Sequence, residues 1–239
     1  MGSFTVEKPP PFKNPPERRI IRMRCVWLRK GRREMLHAYT DRGGPYDVAS
    51  FKDFLEGRPD GERWELVDGY ALQSASPRIG HQRIASNFER HLNELLSRVR
   101  PEWRADREIG IEVSRTAKDR PEPEVTVIDK DIDPDQNYAE RFYLVMEVPS
   151  ASDRGQKLKA KVGFYKSHPD NLFVVVVEQD EQSVVIHRRM GPDEWAETEL
   201  NAPSDELRLE GLGTVCTLEQ LYANTRFDPR SYPQPAVPR

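Results

Sequence analysis

The sequence predicts a single α/β domain carrying short extensions at both ends. Three observations lead there: a long stretch from Ile79 to Val99 with apolar residues at helical spacing, several short apolar runs with the character of inner strands, and a shorter helical stretch separating two of those runs. At 239 residues, with 32% charged and 36% apolar, the chain can bury one good-sized core beneath a very hydrophilic surface.

Composition excludes several classes. No run of about eighteen apolar residues is present, so no membrane-spanning helix is expected, and the opening MGSFTVEKPPPF lacks the apolar core of a secretory signal. Cys25 and Cys216 stand alone, without a CxxC or a neighbouring His cluster, which disfavours structural zinc and suits a reducing cytoplasm. The net charge of −3 hides an asymmetry. Residues 1–33 hold ten Lys or Arg against Glu7 and Glu17, a local charge of +8. Such an arm can neutralise nucleic-acid phosphates, or it can be a solvated extension or the polar faces of edge strands.

Taken in order, residues 1–18 are Pro-rich and expected to be extended or disordered. RRIIRMRCVWLRKG alternates apolar and basic residues through Ile21, Met23, Cys25 and Trp27, the period of a strand. Residues 1–45 therefore form an N-terminal β extension, residues 46–225 the main domain and residues 226–239 a Pro-rich tail. The main domain opens with a short capped helix from Ser50 to Leu55, then two strands turning at Asp68-Gly69. The stretch Ile79–Val99 places Ile84, Phe88, Leu92, Leu95 and Val99 on one face, with charges opposite. His81 and His91 on this helix have no partner at metal-ligand spacing, so capping or surface roles are expected of them. REIGIEVSR, EPEVTVID and FYLVMEVP follow as strands, the last an inner one. A helix spans 152–165, with Gly163 allowing close approach to the sheet. NLFVVVVEQ and SVVIHRR form a strand and its return. DEWAETELN with ELRLEGLGTVCTLEQLY then supplies a further short strand pair and a terminal helical turn.

One residue breaks the pattern. Glu147 lies among Leu144, Val145, Met146 and Val148 on the inner strand, where a carboxylate is costly to desolvate unless something pairs with it. Two partners are available in principle. Pro-Glu-Pro-Glu-Val at 121–125 brings Glu124 to an adjacent strand, and carboxylates at matching heights on strands about 4.8 Å apart can share a divalent cation. Lys157 and Lys161, four apart on the following helix, offer ammonium groups on one face. Spacing leaves both readings open: a metal site with an assisting lysine, or a structural salt bridge from Glu147 to Lys161.

The order of segments adds a resemblance. RWELVDG, HQRIASNFERHLNELL, RPEPEVTVI and LVMEVPSASDRGQKLKAKVGFYK, over roughly residues 48–190, resemble the Uma-two type of restriction-endonuclease-like proteins within the PD-(D/E)XK nuclease superfamily. The resemblance implies a restriction-endonuclease-like fold, a mixed central sheet flanked by helices with a metal at one end. It implies Glu65, Glu124, Glu147 and Lys161 as catalytic residues, with Glu124 and Glu147 holding Mg²⁺ or Mn²⁺, and sets His81 at the helix-opening His and Tyr165 at the family Tyr. Lys157 and Arg120 become candidate phosphate contacts, and DNA the expected partner, with a homodimer as one route to cutting both strands. Two positions depart from the family pattern. Glu124 replaces an Asp, moving the carboxylate by roughly 1.5 Å, one C–C bond. Lys157 replaces another Asp, where it either binds phosphate or repels Lys161 and depresses its pKa. The resemblance thus implies a metal-dependent DNA endonuclease, with a catalytically degenerate nuclease fold used for nucleic-acid binding or assembly as the alternative.

Overall fold

The computed structural model describes residues 44–74, 76–150 and 155–230; the strand expected through Ile21 to Trp27 and residues 231–239 of the tail lie outside them. The elements run α1 (Val48–Glu56), β1 (Trp64–Val67), β2 (Tyr70–Gln73), α2 (Ile79–Val99), β3 (Trp103–Arg107), β4 (Gly110–Ile111), β5 (Val125–Asp129) and β6 (Tyr138–Ala139). They continue with β7 (Leu144–Glu147), α3 (Gln156–Ser167), β8 (Phe173–Val177), β9 (Val184–Arg189), β10 (Trp195–Leu200), β11 (Glu206–Leu209), β12 (Gly213–Thr217) and α4 (Leu218–Leu221).

The most apolar runs make the middle of a mixed six-stranded sheet ordered β10-β9-β8-β7-β5-β3. Within this sheet only β7 and β8 run parallel, because α3 carries the chain from the end of one to the start of the other. The remaining pairings are antiparallel. Strand alternation sends Leu144 and Met146 to one face and Val145 and Glu147 to the other. The first face is covered by α2, whose Ile84, Phe88, Leu92, Leu95 and Leu96 are buried with Val125, Val127, Val175 and Ile186. Asn93 fixes α2 to β3 by bonding both the N–H and the carbonyl of Ala105. β11, β12 and α4 complete this layer through Leu207, Leu209, Leu218 and Leu221. The second face is covered by α3, where Tyr165 is buried with Val145, Val174, Val176 and Phe142. A third apolar cluster, Val48, Phe51, Trp64, Leu66 and Ala71, joins α1 to the β1–β2 hairpin. The hairpin is tied to the rest by reciprocal bonds between the Leu66 and Arg120 backbones. It turns at Asp68 and Gly69, whose φ values of 49° and 82° are the left-handed geometry an Asp-Gly pair tolerates.

The α/β expectation therefore holds, with corrections in detail. α1 begins earlier than Ser50: Asp47 is its cap, accepting from the Ser50 N–H at 2.8 Å while Ser50 Oγ accepts from the Asp47 N–H. REIGIEVSR forms only the two-residue β4, and the long strand of that region is WRADR, β3. DEWAETELN becomes β10, a sixth strand of the main sheet, while β11 pairs with β12. Gly163 is exposed, and a side chain there would meet open space, so it is not what lets α3 approach the sheet. Phe227, at the start of the expected tail, packs edge-on against Tyr222 at 5.4 Å. Among the described residues no helix is long and apolar enough to cross a membrane.

Candidate active site

Register builds the site. Val125 pairs with Met146 across the antiparallel β5–β7 ladder, so one residue further on Glu124 stands opposite Glu147, on the face that meets α3. Glu147 is buried and accepts hydrogen bonds from Tyr165 Oη at 2.5 Å and Lys161 Nζ at 2.9 Å. Both donors come from one face of α3, four residues apart. Lys161 Nζ also lies 3.0 Å from Glu65 Oε2, and Lys157 Nζ is 2.7 Å from Glu65 Oε1, so the hairpin strand β1 is latched to α3 by ion pairs. Glu124 is gripped at both oxygens: His81 Nε2 is 3.0 Å from Oε1, and the Val148 N–H donates to Oε2 at 3.0 Å.

Glu65, Glu124, Glu147, Lys161 and His81 all line one cleft of about 330 Å³, together with Arg63, Arg78, Glu108, Glu122 and Asp180. Of the expected site residues, four therefore converge. Lys157 stands behind them on Glu65. Arg120 is buried between Glu112 at 3.4 Å and Glu122 at 3.6 Å, with its guanidinium near the Tyr138 ring. His81 is the residue that sequence spacing misjudged. The capping or surface role expected of it gives way to a largely buried position against Glu124, while the α2 cap is Arg78, without a side-chain bond. Its place as the first polar residue of the long helix, where the resemblance sets the helix-opening His, was the available signal.

Electrostatics follow from three carboxylates sharing few cations under burial. Burial pushes the Glu147 carboxyl up to about 8; Lys161 opposes this, and the neighbouring Glu124 and Glu65 add to it. Glu65 is also penalised by burial, yet Lys161 and Lys157 outweigh that and hold it below the usual carboxylate range. At Glu124 the burial penalty is outweighed by the bond from His81, Lys161 and the Val148 N–H, which lower it. Burial opposes the charge on Lys161, but Glu147, Glu65 and Glu124 raise its pKa well above normal. Lys157 is engaged with Glu65, and the carboxylates outweigh whatever repulsion it exerts on Lys161. Burial and the adjacent Glu147 also keep Tyr165 a phenol.

Among the described residues no three His, Cys, Asp or Glu side chains are grouped to hold a metal ion by themselves. The donor set nevertheless suits a hard divalent cation. Glu124 and Glu147 present carboxylate oxygens at opposed strand positions in an open cleft, each with acceptor capacity left over. Mg²⁺ commonly takes only one or two protein carboxylates, completing its shell with water and phosphate oxygens.

A mixed sheet with opposed carboxylates and a lysine at one end defines an α/β protein of the restriction-endonuclease-like class. The chain belongs to the Uma2 family, described as "Putative restriction endonuclease", which matches residues 48–219. Among solved structures it is similar to "a putative nuclease belonging to DUF820" from Anabaena variabilis, with a TM-score of 0.57 and 18% identity over 74% of this chain and 98% of that one. That likeness is one of fold. No curated protein matches the chain.

Proposed function

We propose that this protein is a metal-dependent DNA endonuclease whose reaction centre is the cleft at the Glu124–Glu147 end of the sheet. The observation that carries this reading is the convergence of Glu124, Glu147 and Lys161 from two adjacent strands and one helix onto one open cavity. Family membership supports nuclease chemistry in general. In the reaction a water oxygen attacks phosphorus and one P–O ester bond breaks, leaving a phosphomonoester and a hydroxyl. Glu124 and Glu147 would hold Mg²⁺ or Mn²⁺, which lowers the pKa of a bound water and offsets charge on the scissile phosphate. Lys161, whose charge Glu147, Glu65 and Glu124 favour, would orient the water and balance phosphate charge. Glu65 fixes that ammonium from the opposite side. In this reading residues 46–225 form the nuclease domain, the basic segment within residues 1–45 contacts DNA phosphates, and a homodimer is one route to two-strand cleavage.

A second reading, a nuclease fold kept for nucleic-acid binding or assembly, draws on one observation. Lys157 and Lys161 form a continuous ion network with Glu65 and Glu147, so the protein itself supplies cations to these buried carboxylates.

The test is incubation of purified protein with supercoiled and single-stranded DNA in Mg²⁺, in Mn²⁺ and in chelator, beside a Lys161→Ala variant shown to be folded. Metal-dependent cleavage that vanishes in the variant is the expected result. Folded wild-type protein that binds DNA without cutting it would favour the second reading.

A further inference from the structure

We propose that His81 is a positioning residue for Glu124, and that the two are a matched pair: the histidine holds the longer glutamate side chain where a shorter aspartate would need no such support. This rests on the nuclease reading above, since it concerns how Glu124 meets a cation.

A glutamate carboxylate has one more rotatable bond than an aspartate's and reaches about 1.5 Å further, and it is a glutamate that stands at 124. An unrestrained carboxylate of that kind would sample several rotamers, and misplacement by about 1 Å at a reacting centre costs on the order of a hundredfold in rate. Here both oxygens are pinned, by the Val148 N–H at 3.0 Å and by His81 Nε2 at 3.0 Å. The Val148 bond is donated by backbone and does not depend on residue 81; the other depends on His81 alone. A carboxylate offers about four lone-pair directions, so these two bonds fix its plane and leave two directions for a cation.

The direction of the bond follows from the acceptor. The Glu124 carboxylate has only lone pairs to offer, so His81 Nε2 at 3.0 Å carries a proton and donates it to Oε1, while Nδ1 is buried and meets no hydrogen-bond partner among the described residues. In that state Nε2 has no lone pair for a metal. His81 therefore acts through the carboxylate it orients.

The measurement is Mn²⁺ binding by titration calorimetry without DNA, together with thermal unfolding, on wild type, His81→Ala, His81→Gln, Glu124→Asp and the His81→Ala/Glu124→Asp double variant. Wild type binds one ion. His81→Ala is expected to weaken that binding by about ten- to a hundredfold, the usual effect of losing a group that orients a ligand. His81→Gln, whose amide nitrogen has about the reach of Nε2, restores most of it. In the Glu124→Asp background the shorter side chain no longer reaches His81, so adding His81→Ala changes affinity by less than about threefold. Equal losses in both backgrounds, or no loss in His81→Ala protein that binds Mn²⁺ and is folded, overturn the proposal and leave the nuclease reading standing. Failure of folded wild type to bind Mn²⁺ overturns both. Should Glu124→Asp not fold, the contrast between His81→Ala and His81→Gln decides: equal weakening of the two sinks the pairing.

Discussion

Glu147 makes a sharp prediction about stability and pH. Burial, with Glu124 and Glu65 nearby, raises its carboxyl from an ordinary 4.5 to about 8 despite Lys161. The folded protein therefore holds a proton on Glu147 that the unfolded chain has already released above pH 4.5. Where the native state binds more protons, stability falls as pH rises, so this group's contribution is most favourable below about 4.5 and is lost progressively up to about 8. Each pH unit in that window corresponds to roughly 1.4 kcal/mol. Between pH 6.5 and 8 the loss is on the order of 1–2 kcal/mol. Other groups move oppositely: burial lowers His187 to about 4, so it contributes stability that rises between pH 4 and 6.5. The contrast must therefore be drawn against Glu147→Gln, which keeps the shape and removes the titration. Urea unfolding of both proteins, without divalent ions, at half-unit steps from pH 6 to 8.5 gives the difference curve. The wild-type advantage over the variant should shrink by on the order of 1–2 kcal/mol from pH 6.5 to 8. Parallel curves would mean that Glu147 is ionised throughout, and the burial argument would be wrong.

Three further outcomes follow from the same contacts. If a cation displaces that proton, Mn²⁺ binding at pH 7 should release close to one proton, read as a dependence of calorimetric heat on buffer ionisation enthalpy and absent in Glu147→Gln. Tyr165→Phe removes a 2.5 Å hydrogen bond to a buried carboxylate and should cost about 2 kcal/mol in urea unfolding, with the helix content of α3 unchanged by circular dichroism. Phe88→Ala empties the centre of the α2–sheet interface, where Phe88 is fully buried, and should cost about 3–5 kcal/mol by the same assay.

Much of this fold could be read in advance wherever one periodicity dominated. α2 spans the residues its apolar spacing predicted, because Ile84, Phe88 and Leu92 leave no other way to bury a single stripe. The inner strands β7 and β8 announced themselves as continuous apolar runs since both their faces are covered. β3 was hidden for the opposite reason: of WRADR only Ala105 is fully buried, so an edge strand held by its neighbours carries almost no pattern of its own. The site divided along the same line. The grouping of Glu147 with Lys161, fourteen residues apart across one turn of chain, was visible in spacing. The contact of His81 with Glu124, forty-three residues apart, depends on where α2 lies across the sheet, which no local spacing encodes.

The separate apolar cluster under the β1–β2 hairpin has a consequence for how the molecule comes together in time. The Glu147–Lys161 pair closes a short loop within a single strand–helix–strand unit, whereas Glu65 must cross nearly a hundred residues of chain to reach the same lysine. The hairpin and α1 carry their own core; ion pairs from Glu65 and Lys52 reach α3 and Glu112, and Val48, Ala49, Leu66 and Gly69 bond backbone to backbone with residues 115–120. They can therefore detach and re-dock as a cooperative unit while the six strands stay paired. In hydrogen exchange, the amides of Trp64–Gln73 should share one opening free energy below that of β7 and β8, and the last step of maturation would be the one that brings Glu65 home.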